Sequence, residues 1–417
     1  MTGMPALLLA QAPARDTAAV ARQVAPGVTI RRMYRLEGPW RVYVAEIALA
    51  TPGVAVRAVR ACDLPRGRER PTAIARRLRD EGLDPLVVLN ADFFDLRGGT
   101  GVIENSMVID GEIAKAVPVS ESPFDTFDNA HAEIGFTVAG KPVLERFTFD
   151  GRVILRRREW PLRYVNATPA IGELALLTRW SDPAVRERVA RAARIAVQLR
   201  RDSSRGDSVL YRVATPAIPL ARLVPEAIQA GEALLAGSAR AGNALSRLRR
   251  GDRVTIVQKF FPDRGPLQTL VGGWPRVLDA GRSVAAAADS VEGTFARFSG
   301  ARHPRSAVGF SPDSATLYLV AVDGRQEASA GATLEELATI LRDLGAHHAL
   351  NLDGGGSTAL VVGGTLANVP SDSSGERPVG NVIAVTRQQA GSAPAMRAAP
   401  AGSPPPSCVL PLPSAPR

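Results

Sequence analysis

Apolar and polar residues alternate along residues 28–60, and Gly and Pro divide this stretch into segments of strand length. A period of two residues places the apolar side chains on one face of an extended chain, so the pattern predicts β-strands rather than helices. Hairpin-like stretches with Gly-containing turns follow in "SMVIDGEI", "IGFTVAGKPVL" and "FTFDGRVIL". We therefore predict an α+β fold: a mixed, largely antiparallel β-sheet core with flanking helices in a single large domain.

Helical signals occur in three stretches between the predicted strands. In "PTAIARRLRDEG", Pro71 occupies the first turn and Gly82 ends the helix. In "GATLEELATILRDLGA", Thr333 is the expected N-cap, Glu336 completes a capping box and Gly345 ends the helix. The third stretch, "DPAVRERVARAAR", precedes a predicted hairpin, and the "RGDS" of that hairpin is expected at its tip rather than as an adhesion motif.

Three regions are expected along the chain. Residues 1–27 form an N-terminal segment whose short apolar stretch and "AQAPA" end fit either a remnant of an export signal or a frayed terminus. Residues 28–387 form one domain, because no linker interrupts them. Residues 388–417 are rich in Pro, Ala and Ser and are expected to be a disordered tail.

The net charge of +10 raises the question of a nucleic-acid partner. The positive residues are almost all Arg, most of them scattered among acidic residues, and the densest cluster lies at 246–253. Aromatic residues make up only 5% of the chain and do not interleave with a basic stripe, so we expect an anionic substrate and no nucleic acid. No stretch approaches the roughly 20 apolar residues of a membrane-spanning helix, so no transmembrane segment is expected.

Cysteine and histidine usage predicts neither a metal nor a cofactor. Cys62 and Cys408 are the only cysteines, and they are too few and too far apart in sequence for a disulfide framework or a thiolate metal site. His347 and His348 stand at a helix-to-strand junction and are expected at the surface rather than as metal ligands.

A carboxylate stands at the end of the predicted strand "HALNL". Asp353 follows this apolar stretch and precedes Gly354, Gly355 and Gly356. A strand end fixes the backbone while the side chain faces a cleft, and bare glycines let N–H groups or a substrate approach closely. No lysine follows in the pattern of a nucleotide-binding P-loop. Taken alone, the segment favours a glycine-rich hairpin with an incidental Asp.

Other predicted strand ends carry polar residues beside glycine, as Asp353 does. They are Asn90, Asp92 and Asp95 in "LNADFFD", His303, Arg305 and Ser306 before "AVGF", and Asp323 and Arg325 after "LYLVAV". Because several strand ends can meet at one edge of a sheet, these residues predict a convergent pocket.

The ordered motifs "LNADFFD", "VGGWPRVLDAG", "RHPRSAVG", "VDGRQ", "NLDGGGST" and "RPVGNVIAV" resemble the phosphodiester glycosidase family. The resemblance covers roughly residues 28–387 and is strongest from residue 270 onward. It implies a hydrolase that breaks the anomeric carbon–oxygen bond between a sugar and a phosphate. Within it, Asp353 would activate water or stabilise an oxocarbenium-like centre, while Arg305, and secondly Arg325, would bind the phosphate.

The same resemblance implies supporting roles for further residues. The backbone N–H groups of Gly354 to Gly356 and the hydroxyl of Ser357 would assist in substrate binding, together with Gly273 and Asn381. His303 would either shuttle a proton or orient the neighbouring arginine. Asn90 and Asp92 belong to the first motif, where the family often has glycines in place of Ala91 and Asp92.

The expected substrate is a glycosyl phosphodiester, in particular one in a bacterial surface or extracellular glycopolymer such as an exopolysaccharide. The chain is expected to be exported, with a cytoplasmic location left open. Two alternatives remain from the sequence: a glycosidase or lyase acting on an anionic polysaccharide, and a non-catalytic glycan-binding module on the same scaffold. The sugar, the polymer, the stereochemical course, any metal requirement and the oligomeric state are left open.

Overall fold

The computed structural model describes residues 17–116, 120–121, 126–127, 131–193, 195–219, 228–387 and 405–410. The strands are, in chain order, β1 (Thr17–Ala25), β2 (Val28–Arg35), β3 (Trp40–Ala48), β4 (Val54–Arg60), β5 (Asp84–Asn90), β6 (Met107–Ile109), β7 (Glu112–Lys115), β8 (Ser120–Glu121), β9 (Thr126–Phe127), β10 (Glu133–Thr137), β11 (Pro142–Glu145), β12 (Thr148–Leu155), β13 (Arg158–Val165), β14 (Leu174–Leu177), β15 (Ile195–Arg205), β16 (Ser208–Pro219), β17 (Glu232–Gly237), β18 (Arg253–Phe261), β19 (Leu267–Gly272), β20 (Arg276–Asp279), β21 (Arg282–Ser283), β22 (Arg305–Phe310), β23 (Thr316–Val322), β24 (His348–Asn351), β25 (Leu360–Val362), β26 (Thr365–Leu366) and β27 (Asn381–Arg387). The α-helices are α1 (Pro71–Asp80), α2 (Pro183–Ala192), α3 (Ala239–Leu245), α4 (Ala288–Val291), α5 (Ala296–Ser299) and α6 (Leu334–Asp343).

An eight-stranded sheet in the order β1-β2-β3-β23-β22-β24-β20-β21 forms one layer of the fold. Its strands pair antiparallel throughout, as the alternation along residues 28–60 predicts. Helix α6 covers one face with its apolar stripe. Its N-terminus has the predicted capping box: Thr333 accepts from the Glu336 N–H, and the Glu336 carboxylate accepts from the Thr333 N–H.

A five-stranded antiparallel sheet in the order β26-β25-β5-β27-β4 packs against the other face of the eight-stranded sheet. The core between the two sheets is apolar on both sides, and it includes Ala45, Ile47, Leu317 and Leu319 from the first sheet and Val87, Leu89, Ile383 and Val385 from the second. Helix α1 packs its buried Ile74 and Leu78 against the outer face of the five-stranded sheet. This layering brings the end of β5 and the start of β27 close to the strand ends of the larger sheet.

The middle of the chain forms a closed barrel of seven strands, β12-β13-β14-β17-β15-β16-β18, with its own apolar core. A second five-stranded sheet, β11-β10-β19-β6-β7, contributes to this core and to the core between the two large sheets. The α+β prediction is therefore correct in outline for a single domain, but the fold is richer in β-structure than expected and contains a barrel.

Some of the local predictions are confirmed by the elements of the structure, and one of them is wrong. The "RGDS" motif forms the tip of the β15–β16 hairpin, where Arg205 pairs with Ser208. The prediction of a hairpin in "FTFDGRVIL" is wrong, because β12 continues through Gly151 and pairs along its length with β18. Strand β1 joins the eight-stranded sheet through β2, so that sheet begins before residue 28. Among the described residues, no helix combines the length and apolar character that crossing a membrane requires.

The expectation for the two cysteines is wrong. Cys62 and Cys408 form a disulfide across a sequence separation of 346 residues. The segment 405–410 lies against the loop after β4: Arg68 and Val409 exchange backbone hydrogen bonds of 2.9 and 2.8 Å, and the Ser407 hydroxyl donates to Glu69. Separation in sequence does not limit a disulfide when the fold brings the two Cα atoms within 5.3 Å. The rest of the expected tail, 388–404 and 411–417, lies outside the described residues.

Replacing both cysteines by Ser should lower the free energy of unfolding by about 2–4 kcal/mol, because the cross-link restricts the unfolded chain. Urea unfolding of the wild type and of the Cys62→Ser/Cys408→Ser variant checks this expectation. As a control, a reducing agent should lower the stability of the wild type to that of the variant and leave the variant unchanged. Equal stability of the two oxidised proteins would show that the cross-link does not contribute.

Candidate active site

Asn90 joins the two large sheets where their strand ends meet. It is the last residue of β5 and is completely buried. Its side-chain N–H donates to the carbonyl of Asp353 at 2.6 Å, and its side-chain oxygen accepts from the Ser306 hydroxyl at 2.7 Å and from the Ala359 N–H at 3.0 Å. The prediction that these strand ends converge is therefore correct for Asn90, Ser306 and Asp353. Asn90 itself acts through the backbone that it fixes.

The segment after β24 forms a tight turn. The Asp353 N–H donates to the Ala91 carbonyl at 2.8 Å, and a short 3₁₀ turn follows at Gly355–Ser357. Gly355 has a φ of +60°, which disfavours other residues, and a Cβ on it would lie 3.2 Å from the Arg325 guanidinium. Its N–H donates to the Pro304 carbonyl at 2.8 Å, so the predicted convergence of the three glycine N–H groups on an anion is wrong for Gly355.

Two guanidinium groups lie over consecutive glycines of this turn. Arg325 lies against Gly355, and Arg377 lies so close to Gly356 that a Cβ there would overlap it. Arg377 is paired with Asp372 at 2.8 Å and donates to the Ser357 hydroxyl at 3.3 Å. Ser357 also lowers the pKa of Asp353, so its hydroxyl lies within interaction range of that carboxylate. The buried Ser357 therefore connects a cation to the candidate catalytic carboxylate.

Arg325 is the cation that remains available at this turn. Its side chain is exposed and makes no ion pair with any described residue. One guanidinium nitrogen lies 3.4 Å from Nδ1 of His303. Burial and the charges of Arg305 and Arg325 lower the pKa of His303, so this ring is neutral near pH 7 and does not compete for an anion. An exposed guanidinium beside a neutral imidazole suits an anionic ligand.

Three carboxyl groups lie in mutual electrostatic range on the inner side of the turn. Burial raises the pKa of Asp353 to about 7, although Ser357 and Arg377 oppose the shift. Burial also raises the pKa of Asp92 to about 6, against two hydrogen bonds from Asn105. Burial, with the charges of Asp92 and Asp353, raises the pKa of Glu104 to about 8. Such groups can take up and release protons near neutral pH, and they titrate together.

Arg305, the first expected phosphate ligand, is a structural residue. Its side chain is 1% exposed, and it donates to the carbonyls of Ala332 at 2.9 Å, Phe298 at 2.7 Å and Ala301 at 3.2 Å. Along β22 it points to the same face as Ala307, toward α6, whereas Ser306 faces Asn90. Burial lowers the pKa of Arg305 to about 10. Its Nε and one terminal nitrogen hold the chain between α5 and α6.

Two further expected substrate ligands also have structural surroundings. Asn381 is completely buried and accepts from the Asp92 N–H at 2.9 Å, so it positions Asp92 rather than lining an open pocket. Gly273 is buried, and a Cβ on it would meet Leu350 and the Asn351 carbonyl. Both residues pack strands together around the site.

Glu104 and Arg377 were not identified from the sequence. Glu104 stands in an irregular segment before β6, and only the pairing of its N–H with the Phe93 carbonyl at 3.0 Å brings it beside Asp92. Arg377 opens the motif "RPVGNVIAV" but has no local feature that marks it. His348 lies 3.0 Å from Asp279 and is half-buried. Among the residues that the structure describes, no group of three or more His, Cys, Asp or Glu side chains could hold a metal.

Comparison with known proteins gives a family match for the C-terminal half of the domain. Residues 221–386 match the family model of the phosphodiester glycosidases. The mouse N-acetylglucosamine-1-phosphodiester alpha-N-acetylglucosaminidase is 42% identical over 80 residues, which are 19% of this chain and 15% of the mouse protein. The aligned part thus spans less than a sixth of that relative.

Two solved structures share the fold over most of the chain. A hypothetical protein from Synechocystis superimposes with a TM-score of 0.62 at 22% identity, covering 89% of this chain and 64% of the other. A protein from Burkholderia pseudomallei gives a TM-score of 0.55 at 22% identity, covering 84% of this chain and 74% of the other. At this identity, the two superpositions show a common fold.

Arg305→Lys should lower the free energy of unfolding by about 2 kcal/mol or more, because a lysine cannot donate from two guanidinium nitrogens to carbonyls on separate segments. The affinity for inorganic phosphate should stay within about twofold of the wild type. Urea unfolding and calorimetric titration measure the two quantities. Arg342→Lys is the control, since Arg342 is exposed in the last turn of α6 and the change should contribute little. If Arg305→Lys kept its stability but lost its affinity for phosphate, Arg305 would be a phosphate ligand.

Proposed function

We propose that this chain, whose residues 221–386 match the family model of the phosphodiester glycosidases, hydrolyses the anomeric carbon–oxygen bond that joins a sugar to phosphate in a glycosyl phosphodiester. One observation carries the proposal. The exposed guanidinium of Arg325, unpaired with any described carboxylate, lies over the turn that begins with Asp353. The site thus offers a ligand for a phosphate next to a carboxylate that can act on the adjoining sugar.

Phosphate binding falls to Arg325 in this proposal. A planar guanidinium can donate two parallel hydrogen bonds to two phosphate oxygens. His303 lies beside it and is neutral, so it can hold the guanidinium without adding charge. Arg377 is already neutralised by Asp372, and it acts on Asp353 through Ser357. We therefore assign Arg325 as the phosphate ligand and Arg377 as a positioning residue.

Asp353 is assigned as the base. Its carboxylate accepts a proton from the attacking water as the bond to the anomeric carbon forms. A pKa raised to about 7 matches this task, because the group is sufficiently basic and still largely ionised slightly above neutral pH. The bond that breaks lies between the anomeric carbon and the phosphate oxygen, and the electron pair leaves with the phosphate.

Little acid assistance is needed at the leaving group. A phosphate monoester is a stable anion, unlike the alkoxide released from an ordinary glycoside, and Arg325 stabilises its new charge. Glu104, with its pKa raised to about 8, holds a proton at neutral pH within range of Asp92 and Asp353. It lowers the negative charge of the carboxyl cluster so that Asp353 can be the ionised member.

A surface or extracellular glycopolymer containing phosphodiesters is the substrate that we propose. The Cys62–Cys408 disulfide supports an oxidising compartment, and hence export, because reducing compartments keep such thiols apart. A panel of glycosyl phosphodiesters and uncharged aryl glycosides tests the bond specificity. Cleavage of the aryl glycosides alone would favour a glycosidase acting on an ordinary glycosidic bond, and binding without cleavage of either would favour a glycan-binding module.

Asp353→Asn should reduce turnover of a glycosyl phosphodiester by at least about 100-fold, because the amide keeps the shape but cannot accept the proton. In the wild type, the rate should rise with pH through about 7, since the ionised carboxylate is the active form. Steady-state rates between pH 5 and 9 measure both effects. Asp80→Asn is the control, because it removes an exposed carboxylate at the end of α1, on the outer face of the five-stranded sheet. Near wild-type turnover of Asp353→Asn would refute the assignment.

Arg325→Gln should lower kcat/KM for glycosyl phosphodiesters by roughly 10- to 100-fold, the cost of one charge-assisted contact. Arg325→Lys should recover only part of the loss, because it restores the charge but not the paired donors. An uncharged aryl glycoside, if cleaved, should be affected much less. Arg342→Gln, an exposed arginine at the end of α6, is the matched control. Equal losses on both substrate types would contradict a phosphate-binding role.

A further inference from the structure

The positive charge of the protein is concentrated in the barrel. Residues 148–261, from the start of β12 to the end of β18, contain 21 Lys and Arg against 10 Asp and Glu. The remainder of the chain contains 30 Lys and Arg against 31 Asp and Glu. The barrel thus carries the whole excess, and a local excess of this size attracts anions to one part of the surface.

The fold brings together two arginine-rich stretches that are about ninety residues apart. The first is the turn between β12 and β13, and the second is the loop 246–253 before β18. Pairing of Leu155 with Val254 sets the two side by side. Arg156 links the two stretches, because its guanidinium donates to the carbonyl of Arg247 at 2.7 Å and to the carboxylate of Asp252 at 3.1 Å.

The cluster defined by Arg156, Arg157, Arg247, Arg249, Arg250 and Arg253 is called the arginine patch here. All six side chains are exposed. Asp252 is the single carboxylate within the two stretches, and it pairs with Arg156. The other five arginines make no ion pair with a described residue, so the patch keeps most of its positive charge. A polyanion that binds there would neutralise this charge.

The turn at the centre of the patch is unfavourable for arginine. Arg156 and Arg157 have φ values of 46° and 70°, and they connect Leu155 and Arg158, which pair across the hairpin. A two-residue turn with positive φ at both positions favours Asn-Gly and Asp-Gly, whose backbones adopt it at lower cost. Two arginines in this turn therefore cost conformational free energy, which indicates that their positive charge has a function.

We propose that the arginine patch binds a polyanionic glycan, a sugar polymer with repeated phosphate, sulfate or carboxylate groups. Guanidinium groups match these oxyanions in shape and charge, and several of them can engage successive groups along one chain. The polymer identity rests on the proposed function, because a phosphodiester-linked glycan would present such charges to both the patch and the active site. The two turns contain no aromatic residue on which bases could stack, which favours a glycan over a nucleic acid.

The test compares two triple variants with the same loss of charge. The patch variant is Arg157→Gln/Arg249→Gln/Arg250→Gln, and the control variant is Arg76→Gln/Arg188→Gln/Arg191→Gln, in which all three positions are exposed and lie outside the patch. Dextran sulfate, uncharged dextran of equal length and a single-stranded DNA of matched charge are the probes. Each is titrated against the full chain over a range of salt concentrations.

The patch variant should bind dextran sulfate roughly tenfold more weakly than the control variant, with a shallower dependence on salt, because fewer counterions are released. Uncharged dextran should bind neither protein measurably. Equal losses in both variants, or tighter binding of the DNA than of dextran sulfate, would overturn the proposal. Turnover of a small glycosyl phosphodiester is measured alongside and should match the wild type in both variants. If none of the three proteins turned over the substrate, the proposed function would be refuted. The binding measurements alone would then decide whether the patch binds a polyanionic glycan.

Discussion

The buried side chain of Asn90 holds the site together. One carboxamide at the end of β5 engages the Ser306 hydroxyl of β22 and, on the connection between β24 and β25, the Asp353 carbonyl and the Ala359 N–H. A carboxamide is one of the few side chains that can donate and accept at once, so no apolar residue could replace it without leaving several buried polar groups unsatisfied. Together with the backbone bonds of Asp353 to Ala91 and of Gly355 to Pro304, this group sets the position of Asp353 and of the glycine turn after it.

The charges of the site are separated into an inner and an outer layer. In the inner layer, Asp92 is buried and Glu104 and Asp353 are half-buried, and their desolvation makes the ionised forms costly. Arg325 stands outside, exposed to solvent and over the turn. A substrate with its phosphate at the outer layer would place its sugar toward the inner one. The arrangement explains why carboxylates and a guanidinium can lie near one another without neutralising each other.

Patterns local in sequence predicted the local structure well, whereas contacts between distant segments had to come from the fold. The capping box of Thr333 and the turn after Asp353 are encoded within a few residues, so both could be predicted. The structural role of Arg305 follows from which face of β22 meets α6, and the sequence does not define that packing. Glu104 becomes a neighbour of Asp92 only through the bridge between Phe94 and Ile103. The alternation of apolar and polar residues shows which side chains share a face of a strand, but it does not show which element each face packs against.

The disulfide between Cys62 and Cys408 makes nearly the whole domain a covalent ring. A ribosome produces Cys62 hundreds of residues before Cys408, so the early thiol must stay unpaired until its partner emerges. The disulfide can therefore form only late, after the ribosome has synthesised the chain beyond β27. Once the ring is closed, a single cut in the stretch between β27 and Cys408 would sever the backbone without releasing either piece.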